Sequence, residues 1–158
     1  MRRFAALCAL VLSACGSGSL TGTWSATGVP FTFGSTAMTL YPTVTFDDKN
    51  NATIKLVAHE GDIVITATAQ GTFTSTSTQL TITLPNTISA KSGDTTLTAT
   101  KDADGAQCVT IAGAKLCFPS PQTNTYAIAA DKLTMTVNYK VQDGAVSPLA
   151  LQLTKSTK

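Results

Sequence analysis

The sequence predicts an all-β protein, an antiparallel meander of eight to ten strands closed into a barrel, with a β-sandwich as the alternative. Apolar residues alternate with polar ones along most of the chain, turn-forming residues separate these runs at short intervals, and no stretch beyond the first residues keeps a helical period. Closure into a barrel removes exposed strand edges, which a chain with so few charged residues to protect them needs.

The alternating runs give the predicted strands. The clearest covers residues 133–141, where Leu, Met, Val, Tyr and Val alternate with Thr, Thr, Asn and Lys, and similar patterns cover 54–58, 80–84 and 149–153. Residues 72–78 are low in complexity but still alternate, which predicts a strand or a strand edge. Because successive side chains of a strand point to opposite faces, each run provides one apolar face and one solvated face.

Clusters of Asp, Asn and Gly predict the turns, because these residues tolerate tight or left-handed backbone. The predicted turns are 47–51, 60–62, 91–94, 102–105, 130–131 and 142–144. Two of them contain acid pairs, Asp47 with Asp48 and Asp102 with Asp104, which could suggest calcium. The second pair lies in a loop too short for an EF-hand that lacks the closing glutamate, so we interpret both pairs as turn residues.

The amino terminus has the pattern of a secretory signal peptide. Arg2 and Arg3 precede an apolar stretch at 4–14, which is shorter than the ~20 residues that span a bilayer. The motif Leu12-Ser13-Ala14-Cys15 resembles the bacterial lipobox. The resemblance implies cleavage before Cys15, a lipid on its thiol and a membrane anchor in the cell envelope, and Gly16 in place of aspartate favours the outer membrane. An ordinary signal cleavage beside an unmodified cysteine is the alternative.

Residues 1–14 are therefore predicted to be the signal peptide, 15–19 the lipidated cysteine with a short tether, and 20–158 a single β domain. Removal of the leader takes both arginines from the 11 basic residues, so the remaining chain has nine lysines and nine acidic residues and is close to neutral. Without a cluster of Lys and Arg, the composition excludes nucleic acid as a partner.

Two cysteines remain in the predicted domain once Cys8 leaves with the leader and Cys15 carries lipid. A hairpin turning at residues 112–113 would place Cys108 opposite Cys117, and an oxidising compartment favours a disulfide between them. A structural zinc is the alternative, but two thiols and one histidine are too few ligands. The sequence therefore predicts a disulfide and no metal.

The segment Leu20-Thr21-Gly22-Thr23-Trp24 resembles the Gly-x-Trp opening of lipocalins and of small bacterial lipocalin-like lipoproteins. Residues 126–136 and 151–155 look like the penultimate hairpin and the closing strand of that family. The resemblance implies a barrel whose floor is plugged by Trp24. Lipocalins pack an arginine from the last strand over this tryptophan, and Lys155 is the residue available for that position here.

Candidate catalytic residues are few. His59, the only histidine, lies beside Glu60 at a predicted turn, and no serine lies in a Gly-x-Ser-x-Gly elbow. The sequence thus predicts no enzyme and no cofactor. It favours a binding module for a small apolar ligand or peptide, with a structural or protein-interaction module of the envelope as the alternative.

Small residues at predicted inward positions could leave room for a ligand or could fit a filled barrel: Ala58, Ala67, Ala69 and Ala99. A cavity of about 300 Å³ or more lined by them would favour binding. A solid interior with an exposed apolar patch would favour a protein partner.

Overall fold

The computed structural model describes residues 19–157 apart from 34–35, 85–87, 112–113 and 142–143, with positions 98, 111 and 114 described as backbone only. The predicted signal peptide, Cys15 and residues 16–18 lie outside the described residues, as do the predicted turn residues 112–113 and 142–143. Among the described residues, no helix is long and apolar enough to cross a membrane.

The described chain is all-β, as predicted, and its strand pairs are antiparallel. The strands are β1 Gly22–Ser25, β2 Val29–Phe33, β3 Thr36–Phe46, β4 Asn51–Glu60, β5 Ile63–Ser75, β6 Gln79–Thr83, β7 Ser89–Ser92, β8 Thr95–Thr98, β9 Thr100–Lys101, β10 Gln107–Ile111, β11 Ala114–Phe118, β12 Gln122–Ala129, β13 Lys132–Val141 and β14 Ser147–Lys155.

Eight strands close into a barrel, in the order β1, β3, β4, β5, β6, β12, β13 and β14, with β14 pairing back to β1. The predicted barrel is therefore confirmed over the sandwich alternative. The strands of this ring follow chain order, as in the predicted meander, and further strands lie outside the ring. The strand β2 pairs with β3 outside the ring, and β7 to β11 form an excursion between β6 and β12.

The excursion exists because two long strands each change partner along one edge. Strand β5 pairs with β7 through residues 65–68 and with β6 through 72–75, while β13 pairs with β12 through 132–135 and with β11 through 140–141. Gly71 lies just before the β6 pairing, where a Cβ atom would overlap the carbonyl of Thr83. Glycine therefore permits the close approach of β6 to β5.

The predicted alternation is confirmed in the strands. In β13, Leu133 and Met135 are buried while Thr134 is exposed, and in β3 every second residue from Met38 to Phe46 is buried. Of residues 72–78, the first four end β5 and the last three form the turn into β6, where Thr76 Oγ1 accepts a hydrogen bond from the Gln79 amide.

The acidic turn residues act as local backbone acceptors, in agreement with the turn interpretation. Asp47 Oδ1 accepts hydrogen bonds from the amides of Lys49 and Asn51, and Asp102 Oδ1 accepts from those of Asp104 and Ala106. These bonds satisfy amides that the ends of the strands leave unpaired.

Trp24 closes one end of the barrel. Its side chain is fully buried, its indole Nε1 donates a hydrogen bond to the Leu20 carbonyl at 2.7 Å, and Lys155 Nζ lies 5.1 Å from the ring centroid. Gly22 has φ +130°, and a Cβ there would lie 2.8 Å from Lys155 Cε, so the glycine leaves room for the lysine stem. Lys155 thus occupies the position over the tryptophan that the resemblance offered it, and we call this end of the barrel the floor.

Candidate ligand-binding cavity

A cavity of about 150 Å³ lies inside the barrel. Its walls are formed almost entirely by apolar side chains, and none of the lining residues in the described part of the chain carries a charge. The lining residues are Phe31, Phe33, Met38, Leu40, Pro42, Val44, Ile54, Leu56, Ala58, Ile65, Ala67, Ala69, Ile82, Leu84, Ile88, Val109, Leu116, Phe118, Pro119, Gln122, Met135, Val137, Tyr139, Leu149 and Leu151.

Three of the four predicted small residues border this cavity. Ala58 on β4 and Ala67 and Ala69 on β5 are lining residues, while Ala99 is buried against Ala69 and Ile88. The cavity is about half the volume that we set as favouring a ligand. It has the size of apolar cavities that hold a benzene-sized molecule, whereas drug-sized ligands need roughly 300–1,000 Å³.

The hairpin of β10 and β11 supplies part of the wall and is held by the predicted disulfide. Cys108 and Cys117 are bonded to each other and pair directly across the ladder, as the sequence predicted. The neighbouring cross-strand pair, Val109 with Leu116, lines the cavity. Because neighbouring pairs face opposite sides of a sheet, the bridge lies behind the wall. It ties the two strands together without occupying the cavity.

An ion pair covers the disulfide from outside. Lys140 Nζ, on β13, lies 2.9 Å from Asp102 Oδ2 and 3.3 Å from Asp104 Oδ2. A carboxylate oxygen of Asp102 and the two cysteine sulfurs also lie within 4.8 Å of one another. The sulfurs are bonded to each other, however, and metals bind thiolates, so the oxidised cluster offers a metal one carboxylate.

This ion pair predicts a specific pH dependence of stability. The hydrogen bond from Lys140 lowers the pKa of Asp102, and Asp102 in turn raises the pKa of Lys140. Ionised Asp102 therefore contributes fully to the free energy of unfolding above its ordinary pKa of 3.8, and this contribution is lost as the pH falls through the lowered pKa. Protonated Lys140 contributes fully to the free energy of unfolding below its ordinary pKa of 10.5, and this contribution is lost as the pH rises through the raised pKa.

When the pH is lowered from neutral to acid, we expect the free energy of unfolding to fall less in Lys140→Met than in the wild type. Only the wild type has the Lys140–Asp102 ion pair, which protonation of Asp102 breaks. Urea unfolding across a pH series measures the difference. Asp47, whose pKa is lowered by hydrogen bonds from Asn51, titrates in both proteins, so only the difference between them is diagnostic. Lys132→Met, at an exposed lysine, is the matched control. Identical acid profiles for the wild type and Lys140→Met would contradict the assignment.

Among the described lining residues, Gln122 is the one amide side chain, and it connects β12 and β13 where their backbones no longer pair. Its Nε2 donates to the Asn138 carbonyl and its Oε1 accepts from the Asn138 amide, both at 2.9 Å. The β12–β13 ladder runs only from Tyr126 with Met135 to Ala129 with Lys132. The side chain of Gln122 therefore takes the place of a peptide group on the missing stretch of strand.

In the part of the chain that the structure describes, two further polar side chains are buried, and neither was predicted from the sequence. Asn124 on β12 is 4% exposed, and neither its Nδ2 nor its Oδ1 atom has a hydrogen-bond partner in the described part of the chain. Gln107 on β10 is 1% exposed, and its Oε1 atom has no partner there either. The signal that could have revealed Gln122 and Asn124 is their position, since both lie in phase with Tyr126 and Ile128 on the inward row of β12.

His59 lies away from the cavity. It is exposed on β4, and its ring packs at 4.9 Å from that of Tyr41. Its cross-strand partners are Thr39 and Val64. These neighbours give it an aromatic contact on the outer surface, and His59 is not among the residues that line the cavity.

No family model, curated protein or solved structure matches this chain.

Proposed function

We propose that this chain is a lipid-anchored lipoprotein of the bacterial cell envelope, lipocalin-like in its barrel, which binds a small apolar molecule and catalyses no reaction. The observation that carries this proposal is the cavity, whose described lining residues are uncharged and almost entirely apolar. An apolar interior space without charged groups favours transfer of an apolar molecule out of water.

The volume of the cavity favours a small apolar ligand over a peptide. About 150 Å³ suits a molecule of benzene size or a short aliphatic segment rather than a folded peptide. Burying about 200 Å² of ligand surface at about 25 cal/mol/Å² gives about 5 kcal/mol, which corresponds to a dissociation constant of about 0.2 mM. Weak binding of small apolar molecules is the expected behaviour.

Toluene tests this proposal by isothermal titration calorimetry. The wild type is expected to bind it saturably, with a negative heat-capacity change. Ala67→Leu adds three heavy atoms to the cavity wall, so it should weaken toluene binding at least about tenfold while leaving the protein as stable or more stable, since it fills a void. Gln70→Leu places the same side chain at an exposed position of β5 and should bind like the wild type. Equal binding by Ala67→Leu would place toluene elsewhere and count against the proposal.

An interaction module of the envelope is the second candidate. Ile63 and Val64 are 51% and 43% exposed at the start of β5, next to the β4–β5 turn. Two adjacent apolar residues form a small patch, and scattered ones are normal on protein surfaces. If the wild type binds no toluene, this second candidate becomes the favoured one.

The proposed anchor gives a separate prediction. Cys15→Ser should abolish acylation and release the protein from membranes, because acyl chains supply about 0.8 kcal/mol per buried methylene and the serine cannot carry a thioether lipid. Membrane fractionation and palmitate labelling measure the effect. Cys8→Ser, within the predicted leader, is the matched control and should stay labelled and membrane-bound. Labelling that persists in Cys15→Ser would refute the lipid assignment.

A further inference from the structure

Asn124 is a polar residue in a buried, apolar environment. It is 4% exposed, and neither its amide nitrogen nor its amide oxygen has a hydrogen-bond partner among the described residues. Buried polar groups in folded proteins are nearly always paired, since water satisfies them when the chain is unfolded. A leucine of similar shape would satisfy the packing at this position without leaving polar atoms unpaired.

Asn124 is not itself one of the lining residues, but its neighbour on the inward row of β12 is. It follows Gln122 on the inward row of β12, where Gln122 pairs with Ile82 and both line the cavity. Asn124 itself pairs with Leu80, which belongs to the same buried cluster as Trp24. The amide therefore lies between the cavity lining and the floor. Gln122, by contrast, already has each of its two polar atoms hydrogen-bonded to Asn138.

The chemistry of the amide defines what it can bind. An asparagine offers two N–H donors and one carbonyl acceptor, so a single hydroxyl can donate to Oδ1 and accept from Nδ2. Among the described residues, the lining contains no charged side chain to pair with an ionised head group, and burial of an unpaired charge is strongly unfavourable. An uncharged polar group is therefore the chemistry that fits.

We infer that Asn124 is the hydrogen-bonding anchor of the cavity and that its ligand is a small uncharged amphiphile, with an apolar body in the cavity and a hydroxyl or carbonyl group at Asn124. The inference rests on the proposed binding function. It adds the orientation of the bound ligand, whose polar end points toward the floor of the barrel.

Phenol and toluene test this inference, because they are nearly the same size and differ by a hydroxyl in place of a methyl group. Calorimetry compares both ligands on the wild type, on Asn124→Leu and on Thr125→Val, a control on the exposed face of the same strand. In Asn124→Leu, phenol affinity should fall about tenfold, the value of about one net hydrogen bond, while toluene affinity changes less than about twofold. Thr125→Val should leave both affinities unchanged.

A second measurement needs no variant and so does not depend on the folding of Asn124→Leu. In nuclear magnetic resonance spectra of the wild type, saturating phenol should shift the side-chain amide resonances of Asn124, and toluene should shift them much less. If the wild type binds toluene but Asn124→Leu loses phenol and toluene affinity equally, the role of Asn124 is overturned and the proposed binding function stands. The same holds if phenol leaves the Asn124 amide resonances of the wild type unshifted. Failure of both ligands to bind the wild type would overturn the proposed function with it.

Discussion

Trp24→Ala is expected to destabilise the protein by about 3–5 kcal/mol, the range for removing a large buried aromatic side chain. Trp24 is fully buried in a cluster with Phe46, Leu133 and Leu153, so truncation leaves a void among atoms that the ring of strands holds in place. It also removes the donor to the Leu20 carbonyl and the ring beneath Lys155. Urea unfolding at constant pH measures the loss.

Two milder variants separate the parts of this effect. Trp24→Phe keeps an aromatic ring and loses the indole donor, so it should cost clearly less than Trp24→Ala. Lys155→Met keeps the apolar stem over Trp24 and loses the charge, and we expect a cost of about 0.5–1 kcal/mol at this partly exposed site. A cost below about 1 kcal/mol for Trp24→Ala would contradict the view that this residue closes the barrel.

Gln122→Leu is expected to destabilise the protein by about 2–4 kcal/mol, because it leaves two backbone groups of Asn138 without partners. Gln122 is buried and bonded to both the amide and the carbonyl of Asn138 where the β12–β13 ladder has ended. The leucine has similar volume, so lost packing contributes little. The exposed Gln152→Leu on β14 is the matched control.

Hydrogen exchange gives a local measure of the same prediction. In the wild type, the Asn138 amide donates to Gln122 Oε1 and should be protected, and Gln122→Leu should accelerate its exchange more than that of Leu133, deep in the paired part of β13. Unchanged protection of Asn138 in Gln122→Leu would show that the side chain does not bridge the two strands.

Features that depend on local pattern were predictable from the sequence. Alternation set the inward face of β13, the Asp and Gly clusters gave the turns, and the nine-residue spacing of Cys108 and Cys117 around a hairpin gave their pairing. The Gly22–Trp24 motif suggested a plugged floor, and a buried Trp24 with Lys155 over it lies at that end. Each of these features involves residues close in sequence or a motif of fixed geometry.

Features that depend on strand pairing over long distances were not predictable. Alternation tells which side of β5 faces inward, but it does not tell that β5 pairs first with β7 and then with β6. The bridging role of Gln122 follows from the separation of β12 and β13, which no local pattern contains. The cavity volume likewise depends on how Ala58, Ala67 and Ala69 face larger side chains across the barrel, and this requires the complete register.

We propose that the barrel interior contains an apolar space that small molecules enter. Crystals of the protein pressurised with xenon test this proposal, because xenon occupies dry apolar cavities of this volume. We expect ordered xenon inside the barrel, in contact with Ala67 and Leu56, and no xenon there in Ala67→Leu. Xenon found only on the outer surface, with side chains filling the interior, would contradict the claim.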